Sequence, residues 1–345
     1  MVFTCTNCYR RYKYEKNYNK HIERLPKCEK RYRLVDLCAG TGGFSLGLSQ
    51  TDRIIPIFAN DIITEAKCIY DANFRHKLVL DDLHNINTKK IPAHDILTSG
   101  WPCQPFSQAG LRKGFDDSRS NIFWKILEIV KYHKPKVVIL ENVKNLKSHD
   151  NGNTFDIIQK SITDIGYHMK HKIINTCKAT NIPQNRERIY IVCFRDKSTY
   201  DKFNFVNIVD NSKPLPVSSI LEKSIPNKYY YSDRFKVWDI INKDVTKNIT
   251  TDTVYQFRRH YVRENKNNVC PTLTRNCGAG GHNCPLIKDN KGIRKLTPRE
   301  FFNLQGFPNT YILPNMSDSA LYRLAGNAIT VPIAKMIADE LITIL

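Results

Sequence analysis

The chain has 345 residues, of which 41% are hydrophobic and 25% charged; this is ordinary for a soluble protein and leaves room for one sizeable domain with an insertion, or for two domains. No apolar run nears the roughly eighteen residues of a membrane span, and the start "MVFTCTNCYRRYK" lacks the charged-then-apolar order of a secretory signal, so an intracellular protein of cytoplasm or nucleus is expected, with no membrane partner. With 53 Lys+Arg against 33 Asp+Glu the formal net charge is +20, an excess that favours a polyanion, nucleic acid first, although a merely lysine-rich soluble protein has a similar balance.

Residues 1–30 stand apart in composition. The eleven cysteines of the chain are odd in number and spread out, which argues for reduced thiols rather than a disulfide framework; three of them fall in this stretch. The pattern Phe3-x-Cys5-x2-Cys8-x3-Tyr12-x5-Tyr18-x2-His21-x6-Cys28 is close to zinc-finger spacing with its aromatic core positions. Cys5, Cys8, His21 and Cys28 are therefore expected to hold a structural zinc in a zinc-finger-like module. The last ligand is a cysteine, one residue beyond the usual spacing, and a disordered basic tail is the alternative. Residues 1–33 carry ten Lys or Arg and three Asp or Glu, so DNA backbone or a protein could be its partner.

From residue 33 apolar runs alternate with helical patterns. "RLVDLCAG", "IIPIFAND", "KLVLDDL", "HDILTSG", "KVVILENV" and "RIYIVCF" predict buried strands, and "NIFWKILEIVKYH" and "TFDIIQKSITDIG" predict helices between some of them, together a doubly wound α/β sheet. From about 197 to 268 the alternation fades into a Tyr-, Asn- and Lys-rich segment that predicts a separate small domain. The closing "SALYRLAGNAITVPIAKMIADELITIL" predicts a loop and then a helix packed back on the α/β core.

Ligands in open α/β sheets sit at the carboxyl ends of strands, and the chemistry-bearing residues gather there. Gly40, Gly42 and Gly43 after the first strand permit a tight turn, structural or ligand-holding; Ser45 stands where a dinucleotide fingerprint needs glycine. Asp61 is placed to accept from ribose hydroxyls and Asp82 from an exocyclic amine, though either alone could be a cap. The ordered set points to a nucleoside-containing cofactor without a pyrophosphate. In "GWPCQPFSQAG" a proline on each side confines Cys103, and a thiol on a polar loop suits a nucleophile. "ENV" brings Glu141 and Asn142 to the same edge, where burial would raise the carboxyl pKa and let it protonate a substrate nitrogen. Arg186 and Arg188 in "QNRERIY" share one face of an extended segment, to meet a carbonyl or carboxylate, or as a surface ion-pair set.

The ordered motifs "DLCAGTGGF", "FAND", "DDL", "GWPCQPFS", "ENV", "QNRERIY", "LTPREFFNLQGFP" and "LAGNAITVPI" resemble those of DNA (cytosine-5)-methyltransferases over roughly residues 33–195 and 269–345. The resemblance implies a doubly wound Rossmann-like methyltransferase sheet (31–196, with 301–345 returning to it), a smaller target-recognition domain (197–300) and the zinc-finger-like module (1–30). It implies S-adenosyl-L-methionine as methyl donor, held by Ala39, Gly40, Thr41, Gly42, Gly43, Asp61, Ile62, Asp82, Leu83, Pro102 and Asn327. Cys103 would add to ring carbon 6 of a flipped-out cytosine, Glu141 would hold or protonate nitrogen 3, and Arg186 and Arg188 would steady the base carbonyl and the adduct. Duplex DNA, a monomeric state and a restriction-modification setting complete the expectation. Two positions depart from the pattern: Cys38 replaces a common aromatic residue, and Ile62 replaces tryptophan after the ribose-binding acid, which weakens adenine stacking. An RNA cytosine-5 methyltransferase on the same fold, or a catalytically silent relative that binds DNA, are the alternatives; the four intact catalytic positions weigh against the second.

Overall fold

The computed structural model describes residues 2–23, 28–102, 122–205, 208, 212–245, 252–258, 260–277 and 284–345. The chain opens with a small module, a hairpin of β1 (Phe3–Thr4) and β2 (Arg11–Tyr12) followed by helix α1 (Glu15–Glu23). Its core is aromatic: Phe3 stacks on Tyr18 with ring centroids 5.8 Å apart, and Tyr12 lies 5.1 Å from the His21 ring.

A seven-stranded sheet follows, made of β3 (Tyr32–Leu37), β4 (Ile54–Asp61), β5 (Val79–Leu80), β6 (Ile96–Ser99), β7 (Val137–Val143), β8 (His168–Asn175) and β9 (Glu187–Phe194). The spatial order is β5-β4-β3-β6-β7-β9-β8. The pairings from β5 to β7 are parallel, and β9 runs antiparallel to both β7 and β8. Side chains alternate between two apolar layers: Tyr32, Leu34, Val137 and Ile139 enter one, and Val35, Leu37, Val138 and Leu140 the other. Burial on both faces is why these strands are continuous apolar runs in the sequence.

Helices α4 (Ile122–His133) and α5 (Asn153–Asp164) cover the second layer. Each buries a helical stripe, Phe123, Ile126, Leu127 and Val130 in one and Phe155, Ile158 and Ile162 in the other. The first layer is covered by α2 (Gly43–Ser49) and by the last helix, α11 (Val331–Ile344), which inserts Ile333, Ile337 and Leu341. Between α2 and β5 lies α3 (Thr64–Asn73). Because β3 pairs with β4 on one side and β6 on the other, the strand order reverses there, and a crevice opens beyond the carboxyl ends of β3 and β6.

Two expectations need correction, and one strand is unannounced in the sequence. The closing stretch is two helices, not a loop and one helix: Ser317 caps α10 (Asp318–Asn327) by accepting from the Ala320 N–H, and α11 follows after extended Ala328. "KLVLDDL" contributes only a two-residue strand, because the Asp81 N–H turns to the Asp61 carbonyl and Asp82 caps the short turn Leu83–Asn85. β8 is a strand that the sequence does not announce; "HMKHKIIN" sits at the sheet edge, half-buried along most of its length.

Short helix α6 (Thr176–Ala179) joins β8 to β9, and after β9 helix α7 (Lys197–Lys202) is followed by Phe203, Phe205 and Ile208, which pack into the first layer of the large sheet. A second, antiparallel sheet consists of β10 (Tyr255–Arg258), β11 (Tyr261–Glu264), β12 (Pro285–Asp289) and β13 (Gly292–Lys295), in the order β11-β10-β12-β13. Helix α8 (Trp238–Val245) packs Ile241 and Val245 against its Tyr255, Val262, Leu286 and Ile293. Helix α9 (Pro298–Asn303), opened by a capping box of Thr297 and Glu300, leads back to the large sheet. Glu300 also forks onto buried Arg294 of β13, with 2.8 and 2.9 Å contacts.

Candidate active site

The turn after β3 is built for close approach. Gly42 has φ of 72°, and a Cβ there would meet the Phe74 ring at 2.5 Å, whereas Gly40, with φ of 54°, has open space where its Cβ would be. Only glycine meets both demands at Gly42. Asp61, at the end of β4 and 8% exposed, accepts from the Gly40 N–H at 2.8 Å and from the Ile63 N–H at 2.9 Å, so each carboxylate oxygen keeps capacity for one further donor. Burial raises its pKa, and these backbone donors oppose the rise. Ala39 and Thr41 are buried, Ile62 beside Asp61 is 64% exposed, and the hydroxyls of Thr41 and Ser99 find no hydrogen-bond partner among the described residues.

Asp82 is more exposed and accepts from the backbone and ring nitrogens of His84, both at 2.9 Å, bonds that lower its pKa, the backbone one foremost. Leu83 puts its side chain into the core layer with Val35 rather than into the crevice. Pro102 is exposed after buried Trp101. Cys103, with residues 104–121, lies outside the described residues. The chain just before it is fixed: Asn142 Nδ2 donates to the Trp101 carbonyl at 3.0 Å.

Glu141, on β7, is 8% exposed and meets Arg188 Nε at 3.2 Å. It lies beside the end of β6, since a methyl group on Gly100 would sit 3.7 Å from its Oε2. Burial raises the Glu141 pKa, with Arg188 and then Arg186 pulling the other way; desolvation outweighs the ion pair. Arg186 is 2% exposed, and its guanidinium donates to the carbonyls of Leu273 and Gly326, both at 3.2 Å, and of Ala328 at 2.9 Å. It thus ties three chain segments together, and two of its acceptors flank exposed Asn327. Sequence spacing puts Arg186 and Arg188 on one face, yet only Arg188 touches Glu141. Tyr311 is a brace the sequence does not suggest: its hydroxyl donates to the Thr41 carbonyl, 270 residues away.

The profile of the C-5 cytosine-specific DNA methylases matches residues 32–343. The chain belongs to that family. It is 45% identical over 311 residues to the type II methyltransferase M.Bsp6I of Bacillus sp. (strain RFL6), covering 90% of this chain and 98% of the relative. It is 38% identical to the type II methyltransferase M.HaeII of Haemophilus aegyptius, covering 91% and 93%. Among solved structures it is similar in fold to the S. pombe Dnmt2 methyltransferase, with a TM-score of 0.70 at 21% identity, over 91% of this chain and 99% of that one.

Two features of this methylase lie beyond the crevice. In the amino-terminal module one ligand atom each of Cys5, Cys8, His21 and Cys28 falls within 4.8 Å of all the others. The Cys5 and Cys28 sulfurs are 3.6 Å apart, and Cys8 Sγ is 3.2 Å from His21 Nε2. Bond lengths of about 2.3 Å to sulfur around a tetrahedral ion imply ligand separations of roughly 3.8 Å, so the four atoms are already gathered for a metal. Second, a groove of about 560 Å³ runs from Asn185, next to Arg186, to the β10–β11 hairpin. There Gln256 and Arg263 are cross-strand partners, and Gln256 Oε1 accepts from Arg263 Nε at 3.0 Å and Nη2 at 2.7 Å. Among the described residues no helix is long and apolar enough to cross a membrane.

Proposed function

We propose that this methylase transfers a methyl group from S-adenosyl-L-methionine to carbon 5 of a cytosine turned out of a specific duplex DNA site, as the modification partner of a restriction system. The observation that carries the chemistry is buried Glu141, held by Arg188 beside the end of β6, four residues before Cys103 in the chain. The crevice suits the cofactor: Asp61 has spare acceptor capacity, Gly40 is open, and the Thr41 and Ser99 hydroxyls are unpartnered among the described residues. Gly40, Gly42 and Gly43 with Ala39 and Thr41 would hold it from the turn, and Asp61 would take the ribose. Ile62, Asp82, the Leu83 backbone, Pro102 and Asn327 would complete the pocket. Bound S-adenosyl-L-methionine supplies an electrophilic methyl group.

The chain's own residues do the rest. Turning the base out of the stack costs a few kcal/mol, offset by pocket and backbone contacts. The Cys103 thiolate adds to ring carbon 6, and Glu141 places a proton at nitrogen 3, so the ring pair of electrons moves to carbon 5 without building a negative charge. Arg188 holds the Glu141 carboxyl and faces the base carbonyl. Arg186, spent on three backbone carbonyls, serves by keeping Asn327 and the 273 segment in place rather than by touching the base. Loss of the carbon 5 proton and expulsion of Cys103 restore the ring. Bisulfite sequencing of plasmid DNA from cells expressing the chain tests this directly: protected cytosines at one recurring sequence are expected, and uniformly converted plasmid would rule the proposal out.

The small sheet would read the sequence of the site, with Arg263 presented to a base edge by Gln256. A guanidinium so oriented matches guanine in the major groove, at about 1–3 kcal/mol of discrimination. Arg263→Gln is therefore expected to relax one base-pair position of the bisulfite-mapped site by roughly 5- to 150-fold. An unchanged map would remove Arg263 from recognition.

Zinc is the metal that best suits three thiols and an imidazole. About thirty residues bury too little apolar surface to fold alone, and metal binding supplies the difference. Purified protein should contain about one zinc per chain, lost on replacing Cys5 and Cys8 with serine, while methylation at saturating duplex stays near normal. Metal-free protein with an ordered module would overturn the assignment.

A further inference from the structure

The module and the crevice sit at opposite ends of the large sheet. The Gly40 turn, Asp61 and Pro102 follow the carboxyl ends of their strands, whereas the module joins the chain just before Tyr32, where β3 begins. Six residues of β3 separate the two ends, about 20 Å of strand. The attachment is specific. The Arg31 N–H donates to the Asn7 carbonyl at 2.8 Å, the Tyr9 hydroxyl donates to Asp95 at 3.4 Å, and the Arg33 guanidinium lies 5.0 Å from the Tyr9 ring. Asp95 also accepts from the Arg33 N–H at 2.9 Å.

Strand register sets what borders this attachment. Tyr32 pairs with Ile54, and Val137 pairs with both Ile96 and Phe194, so the flanking Arg31, Arg53, Lys136 and Arg195 stand at one end of the sheet, with the β6 strand and its Asp95 between Arg31 and Lys136; Asp95 is itself taken up by Tyr9 and Arg33. The module, attached at this end of the sheet, adds exposed Arg10, Arg11, Lys13, Lys16 and Lys20. Among its described residues the exposed large apolar side chains are Val2, Tyr14 and Ile22, too few to form the apolar centre of a protein interface. A row of cations without such a centre fits a phosphate backbone.

We propose that the module and the amino edge of the large sheet hold a second segment of duplex DNA through its phosphates, while the crevice at the other end acts on the first. The proposal rests on the methylase function stated above, and it favours DNA over RNA because DNA bound in the crevice brings its own distant segments to the protein at raised effective concentration.

The test uses the full-length protein with two short duplexes in distinct dyes, one carrying the methylation site and one lacking it. Sedimentation velocity should show both dyes in one complex with a single chain. In the variant Lys13→Glu, Lys16→Glu, Lys20→Glu the second duplex should be lost, while the methylation rate on the short site-bearing duplex stays within about twofold. On a longer molecule the slope of log affinity against log salt should flatten by about 0.9 for each phosphate contact removed. Lys136→Glu with Arg195→Glu, outside the module, should weaken the second duplex too, and guards against misfolding of the module variant. One duplex per chain in the unaltered protein, or both variants still holding two, would overturn the proposal. So would a duplex RNA that displaces the second DNA at tenfold lower concentration. Two duplexes bound without methylation would instead count against the methylase function and leave the second site standing.

Discussion

Replacing Cys103 with alanine is expected to reduce methyl transfer to background while melting temperature and duplex affinity stay as they are. Carbon 5 of cytosine is not a nucleophile until a group adds at carbon 6, and no other described thiol is suited to that addition. Burial pushes Cys38 up to about 12 and raises Cys193 and Cys270 as well, which starves them of thiolate, whereas Cys277, lowered to about 6 first of all by its hydrogen bond with Cys284, is fully buried and closed to a base. Cys68 is exposed on α3, away from the crevice-forming strand ends, and Cys68→Ala should methylate normally. The anchoring of Trp101 by Asn142 does not involve the sulfur, so the loop start survives the change. A radiolabelled-methyl assay decides the matter: turnover retained in the Cys103 variant removes it as the nucleophile, and turnover lost on changing Cys68 shows that the thiols are wrongly sorted.

Strands of the large sheet are legible in the sequence where both of their faces are buried, as "KVVIL" is, because burial on two sides leaves a continuous apolar run. β8 escapes that rule: at the edge of the sheet its side chains are half-buried and its composition polar. The small sheet escapes it as well, since four- and five-residue strands such as β10 and β12 carry too few alternations to register as a period. Residues at strand ends, Asp61 and Glu141 among them, are placed by the chain order of strands alone. What a side chain spends its hydrogen bonds on is not. The two arginines of "QNRERIY" are two positions apart, yet Arg186 faces carbonyls 87 to 142 residues away and is buried by them, while Arg188 faces Glu141. Tyr311 and Thr41 likewise meet only once the chain has closed.

Glu141→Gln is expected to lower the single-turnover rate by about 10²- to 10⁴-fold, the usual worth of a positioned general acid, with duplex binding largely retained. Glutamine is nearly the same shape, and its carbonyl can still accept from Arg188 Nε, so the loss isolates the proton. The pH profile supplies an independent sign. Burial raises the Glu141 pKa against the pull of Arg188 and Arg186, so the carboxyl keeps its proton to higher pH than an exposed glutamate, and the acid-dependent rate falls as pH climbs through that raised value. The thiolate of Cys103 grows over the same climb. The unaltered enzyme should therefore show a rate that rises with thiolate and then declines as Glu141 ionises. The glutamine variant, with no proton to lose, should rise and level off at its lower rate. A loss of less than a few-fold, or a declining limb that persists in the variant, would mean that the proton at nitrogen 3 comes from elsewhere and that Glu141 only holds the base.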